Sequence, residues 1–289
     1  MGRLSRHDRI AVGLIEWGSA SLRDLPWRRT SNPWHVLVSE VMLQQTSVAR
    51  VLPKYEAFIE AFPTPFHLAQ APLGDALQLW TGLGYPRRCR NLRDTAQFVC
   101  DNFNGELPRT LDELLGLPGI GQYTARAVLA FAYREDVAVV DVNVSRVLSR
   151  LEGTPMKSRA LQDLADQLVP QGLGWEWNQV MMDFGARHCT VRAPKCDQCP
   201  VMKQCTWAGE GEDPAPSSAG ASKPQARFEG SDRQARGRAM RAVANGPRSE
   251  LEVIEFMGLD EARERGSRLI DALVSEGLLL RDGAVLTLP

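Results

Sequence analysis

From residue 5 to about residue 205, apolar side chains recur every three or four positions, and Pro and Gly mark short breaks between the runs. Stretches such as 51–62, 145–153 and 161–169 each lay an apolar stripe along one helical face. Strand-like alternation is scarce there, so the pattern predicts a mainly α fold. Residues 208–226 are rich in Gly, Pro, Ala and Ser and nearly free of large apolar groups, which reads as a linker. Beyond it, 227–289 shows two or three short helices. They are followed by Asp282-Gly283 between apolar runs, a hairpin signal. Helices ending in a hairpin predict a small winged-helix-like C-terminal module.

Composition adds limits. Of 289 residues 44% are hydrophobic and 24% charged, ordinary for a globular chain. No apolar run of about 18 residues appears, so no membrane span is expected. The N-terminus reads as an amphipathic helix without a secretion signal, and a cytoplasmic protein is expected. A net charge of −1 argues mildly against nucleic acid as a partner. A local basic face can coexist with it, however. Arg227, Arg233, Arg236, Arg238, Arg241 and Arg248, set against Glu229 and Asp232, form either a phosphate-facing patch or a solvated helix face.

The six cysteines divide into two sets. Cys89 and Cys100 lie near one helical face and read as buried free thiols. Cys189, Cys196, Cys199 and Cys205, spaced x6, x2 and x5, read as a metal site. Four thiolates fit either structural zinc or a 4Fe–4S cluster, and spacing alone leaves both open.

Leu117-Pro118-Gly119-Ile120-Gly121 follows one amphipathic helix and precedes a second that is rich in small residues. Glycines allow backbone angles and approaches that a side chain blocks. The free N–H groups of the second helix make a seat for a phosphate oxygen. The segment resembles the helix-hairpin-helix motif of DNA repair glycosylases, which grips backbone without reading sequence. Asp141 stands at the start of a later helix, where a carboxylate caps free N–H groups. In that superfamily an aspartate about twenty residues past the hairpin is catalytic, and Asp141 is twenty past Gly121. It would stabilise the cationic sugar left as the base departs. Strand-cleaving members carry a nucleophilic lysine just after the hairpin. Tyr123 occupies that position, which implies a monofunctional glycosylase.

Ser39–Val48, SEVMLQQTSV, resembles the MutY adenine glycosylase family. The resemblance implies that Glu40 is the general acid, since adenine leaves poorly without a proton. A desolvated pocket would keep that proton available near neutral pH. It also sets Gln44, Gln45 and Thr46 near the opposite base, and Trp27 and Arg28 of LPWR beside the adenine pocket. WTGLGYPRRCRNL would supply a wedge of Leu83 and Tyr85, with Pro86 departing from a common second tyrosine. In WNQVMMDFG, Gln179 would hydrogen-bond the adenine edge, and Asn143 would orient Asp141. The cysteine spacing matches the family's cluster loop, implying a 4Fe–4S cofactor, with Arg187, Arg192 and Lys195 lying against phosphate.

The resemblance spans about residues 5–207. It implies a two-lobed core acting on double-stranded DNA with adenine mispaired with 8-oxoguanine or guanine, as a monomer. Residues 228–289 match no Nudix-like domain, and generic DNA affinity is expected of them instead. Two rival readings are a thymine or other mismatch glycosylase of the same fold, and a non-catalytic lesion binder with a structural metal.

Overall fold

A computed structural model describes residues 4–221 and 226–289. In chain order the helices are α1 (Arg6–Ser19), α2 (Pro33–Leu43), α3 (Val48–Ala61), α4 (Pro65–Gln70), α5 (Leu73–Trp80), α6 (Arg87–Phe103), α7 (Leu111–Leu115), α8 (Gln122–Phe131), α9 (Val142–Glu152), α10 (Ser158–Leu168), α11 (Gly174–Arg187), α12 (Asp232–Ala244), α13 (Glu250–Met257) and α14 (Arg263–Ser275). The strands are β1 (Arg248–Ser249), β2 (Leu280–Asp282) and β3 (Val285–Thr287). None of the described helices is long and apolar enough to cross a membrane.

The chain forms two compact units that do not follow chain order. The first comprises 1–33, 109–111 and 121–223. The Ser5 hydroxyl accepts from the Asp8 N–H, and the Asp8 carboxylate accepts from the Ser5 N–H, so a capping box starts α1. Ile10 and Leu14, one turn apart, then meet Val147, Leu148 and Leu151 of α9 and Trp177, Val180 and Phe184 of α11 in one core. The segment expected to be a linker departs from that expectation over 208–221. Asp213 pairs with Arg150 at 2.6 Å, the Ala219 N–H donates to the Met156 carbonyl, and the Ser218 hydroxyl accepts from the Met156 N–H. Small polar residues thus dock where composition suggested a tether. Residues 222–225 of that stretch lie outside the described residues.

The second unit comprises 34–108, 112–120 and 224–289. Its α2 is apolar on nearly every side, with Trp34, Val36, Leu37, Val38, Val41 and Met42 all buried, as fits a helix inside a core. Helix α6 packs on α4 and α5. The C-terminal module runs α12–β1–α13–α14–β2–β3, the element order of a winged helix, and its antiparallel sheet has the order β1-β3-β2. Asp282 pairs with Val285 across a tight turn at Gly283, where the hairpin was expected. Cys89 is buried as expected, whereas Cys100 is half-buried, since it sits nearer the solvent side of α6.

Candidate active site and cysteine loop

In the first unit Asp141 is the N-cap of α9, so the capping role is realised. Its Oδ1 accepts from the Asn143 and Val144 N–H groups at 2.8 and 2.7 Å, and its Oδ2 accepts from the Asn143 side-chain amide at 2.7 Å. Burial pushes this carboxyl above the usual aspartate range, against the pull of those three bonds and of Arg146. The Asn143 side chain, bonded to Asp141, is itself held by a further residue. Arg146 donates to the Asn143 side-chain oxygen at 2.9 Å, to the Gly185 carbonyl at 2.6 Å and to the Cys189 carbonyl at 2.9 Å. Gly185 lets α11 come this close, because a Cβ there would lie 2.8 Å from that of Asn143.

Other expected residues of this unit take structural positions. Trp27 and Gln179 are buried. Arg28, expected beside the adenine pocket, pairs with Asp183 at 2.9 Å through two nitrogens, and Arg23 joins from a second direction. Burial alone would raise the Asp183 pKa, but the bonds from Arg28 and Arg23 bring it down to about 2. Asn178, beside Gln179, accepts from the Val139 N–H and donates to the Val137 carbonyl, fixing the non-helical run that leads to Asp141. Tyr123 is half-buried in the first turn of α8.

All four clustered cysteines line one pocket whose remaining walls are mostly apolar. Buried Arg150, only 1% exposed, places its Nη1 3.3 Å from the Cys189 sulfur. Its guanidinium lies over the Trp207 ring. Among the described residues, no three potential ligands converge as a single metal ion requires. Four cysteines on one pocket are the donor set that a 4Fe–4S cluster takes, one thiolate per iron. Burial pushes the bare Cys199 thiol up to about 11, and the Cys189 and Cys196 thiols also upward, so a bound metal would have to displace their protons. Arg187, Arg192 and Lys195 are exposed.

In the second unit Glu40 is 6% exposed on α2, not a solvent-facing carboxylate. Gln44, Gln45 and Thr46 lie in the turn after α2 ends at Leu43, and Gln45 is left-handed at φ 54°. The 81–86 loop also carries left-handed residues: Gly82, Gly84 and Tyr85. Leu83, expected as a wedge, is packed inward at 3% exposure, whereas Tyr85 is half-exposed. Arg88 joins the two segments, donating to the Val41, Met42 and Gly84 carbonyls and to the Thr46 hydroxyl at 2.6–3.0 Å. Its guanidinium lies 5.5 Å from the Trp80 and Tyr85 ring centres.

Of the hairpin residues, Leu117 is buried and Gly119 has φ 73°, with Asn91 so close that a Cβ would touch it. Gly121 differs. Its backbone is extended, and a Cβ there would meet nothing within 4 Å. This open space faces the uncapped start of α8.

Residues 38–171 match the family model described as "HhH-GPD superfamily base excision DNA repair protein". An adenine DNA glycosylase of Mycolicibacterium smegmatis is 39% identical, covering 93% of this chain and 92% of that protein. Among solved structures, a thermostable thymine-DNA glycosylase superposes with a TM-score of 0.67 at 30% identity, covering 71% of this chain and 97% of that one. Endonuclease III, trapped as a covalent intermediate with DNA, gives 0.63 at 25% identity, covering 72% and 98%.

The chain belongs to the adenine DNA glycosylase family.

For this member of the adenine DNA glycosylase family, the motif residues fall in both units. Trp27, Arg28, Gly121, Tyr123, Asp141, Asn143, Gln179 and the four cysteines are in the first, and Glu40, Gln44–Thr46, Leu83, Tyr85, Leu117 and Gly119 in the second. Sequence reasoning missed Arg88, Arg146, Arg150, Asn178 and Asp183. Asn178 and Asp183 carried a signal, since both lie in the WNQVMMDFG run. The three arginines carried none, because each takes at least one of its partners from a distant part of the chain.

Proposed function

We propose that this chain, an adenine DNA glycosylase of base excision repair, excises adenine mispaired with 8-oxoguanine or guanine and leaves the strand uncut. The observation that carries this reading is the Asp141 carboxylate, held by three donors at the head of α9 in a chain of this family. The adenine is rotated out of the stack. Glu40 delivers a proton to it, the bond from sugar C1′ to the base breaks, and Asp141 faces the resulting cation. Water then completes an abasic site. Asn143 holds the Asp141 Oδ2 in place through this charge change. Tyr123 offers no amine for a Schiff base, which supports hydrolysis without strand cleavage.

The four cysteines would hold a 4Fe–4S cluster, which when bound supplies a rigid centre for the loop and no part of base removal. Exposed Arg187 at the end of α11 and Arg192 and Lys195 of the loop then serve as phosphate contacts, and Gly121 with the start of α8 as another. We take the enzyme to act as a monomer on duplex DNA. The test is single-turnover adenine release from duplexes with adenine opposite 8-oxoguanine, G, C or T, with Glu40→Gln as control. Release opposite 8-oxoguanine and G, lost in the variant, is expected. The likeness to a thymine-DNA glycosylase makes thymine opposite G the rival substrate. Its release in place of adenine would overturn the proposal.

A further inference from the structure

Four arginines of the C-terminal module are engaged within their own unit. Arg236 pairs with Glu276, Arg238 donates to the Met257 carbonyl, Arg248 pairs with Glu252, and Arg233 donates to the Tyr85 hydroxyl at 3.2 Å. These contacts hold the module together or fasten it to the rest of its unit. The fastening brackets one loop. Ahead of the loop, the Gly74 N–H at the start of α5 donates to the Pro289 carbonyl at 2.5 Å. Behind it, in the first turn of α6, Arg87 pairs with Glu276 at 2.9 Å, and Arg90 donates to the Glu276 carbonyl. Between these anchors Arg233 reaches Tyr85 itself. Its guanidinium lies over the Phe228 ring, 5.1 Å from the centre, so it is not a freely swinging side chain.

The loop needs such support. Tyr85 is left-handed at φ 50°, a conformation uncommon for a residue with a Cβ, and two left-handed glycines stand just before it. Backbone of that kind persists only where its surroundings over-determine it. Arg88 holds the loop from the α2 side, and Arg233 holds its one aromatic side chain from the other.

We propose that residues 228–289 act as a brace for the 81–86 loop, and that Arg233 is a positioning residue which, through Tyr85, sets how sharply the enzyme distinguishes the base opposite adenine. The specificity half rests on the function proposed above, whereas the brace does not. Its mechanism is conformational. With the Tyr85 hydroxyl held, the ring meets the base stack in one orientation, and opposite bases of different shape are sorted at that contact. Without Arg233 the ring samples several orientations, and the sorting weakens.

The experiment compares wild type with Arg233→Ala, Arg233→Lys, Tyr85→Phe and the Arg233→Ala/Tyr85→Phe double variant, each checked for an unchanged melting temperature. Two quantities are read: amide hydrogen exchange over residues 82–85, and the ratio of single-turnover adenine release opposite 8-oxoguanine to that opposite C. In Arg233→Ala, exchange is expected to rise by roughly tenfold and the ratio to fall by roughly three- to tenfold. Arg233→Lys should restore part of both. In the Tyr85→Phe background, Arg233→Ala should change neither. Unchanged exchange in Arg233→Ala overturns the brace. Raised exchange with an unchanged ratio overturns the specificity role. Wild type releasing no adenine would refute the function instead, and exchange would still decide the brace.

Discussion

Arg146 donates from its Nη2 to the Asn143 side-chain oxygen at 2.9 Å, while its Nε holds the Cys189 carbonyl. One guanidinium therefore ties the amide that holds Asp141 to the first cysteine of the loop. Arg146→Ala should lower adenine release by about 10- to 100-fold, the usual effect of losing an outer-shell partner. Duplex affinity should stay within about twofold, since Arg146 is buried away from phosphate. Single-turnover rates and titration of the same duplex separate the two, and an equal loss in both would contradict the assignment.

The pH profile carries a second expectation. Asp141 must be ionised to face a cation, and burial raises its pKa above 3.8. The acid limb of the excision rate should accordingly lie above that value. The Asn143 bonds pull the pKa down. Removing the side-chain bond with Asn143→Ala should therefore move the limb to higher pH. A pH–rate series on both proteins checks this, and a limb displaced to lower pH would refute it.

Asp183 makes the opposite pH statement, about stability. Its folded pKa near 2 lies below the unfolded 3.8, so its contribution is fully present above about pH 4 and fades as pH falls toward 2. The shift corresponds to about 2 kcal/mol. Asp183→Asn should flatten unfolding free energy against pH in that window. At neutral pH it should cost about 3–5 kcal/mol, because two arginines lose their buried partner. Urea unfolding at a series of pH values measures both.

The hairpin glycines should separate on substitution. Gly119→Ala meets Asn91 in a left-handed backbone and should lower the melting temperature. Gly121→Ala finds open space and an ordinary φ, so stability should hold while duplex affinity falls. A drop in both quantities at Gly121 would place its role within the free protein.

What could be read from the chain alone follows the range of the interactions involved. The hairpin, the Asp141 cap and the cysteine spacing involve residues close in sequence, and each was legible before any coordinates. So was the winged-helix order, because the turn at Gly283 sits between two apolar runs. The Arg28–Asp183 pair was not legible because the two residues are 155 apart in the chain. The burial of Leu83 was not legible either, since nothing local distinguishes an apolar side chain that points inward. The 208–221 segment deceived for a related reason: Asp213 gains meaning only from Arg150, 63 residues earlier.

The Asp141 cap has a consequence for how damage at this position is interpreted. The carboxylate that faces the reaction also begins α9, so replacing it by alanine removes a reacting group and a helix start together, at about 1 kcal/mol for the cap alone. An inactive Asp141→Ala protein thus mixes a folding lesion with a chemical one. Asparagine caps as well as aspartate does but carries no charge. Asp141→Asn keeps the two backbone cap bonds but loses the one from the Asn143 amide. It should therefore melt nearer to wild type than Asp141→Ala while releasing no adenine, which makes it the variant for trapping the enzyme on intact DNA. It also means that selection at this position answers to two requirements that only aspartate meets together.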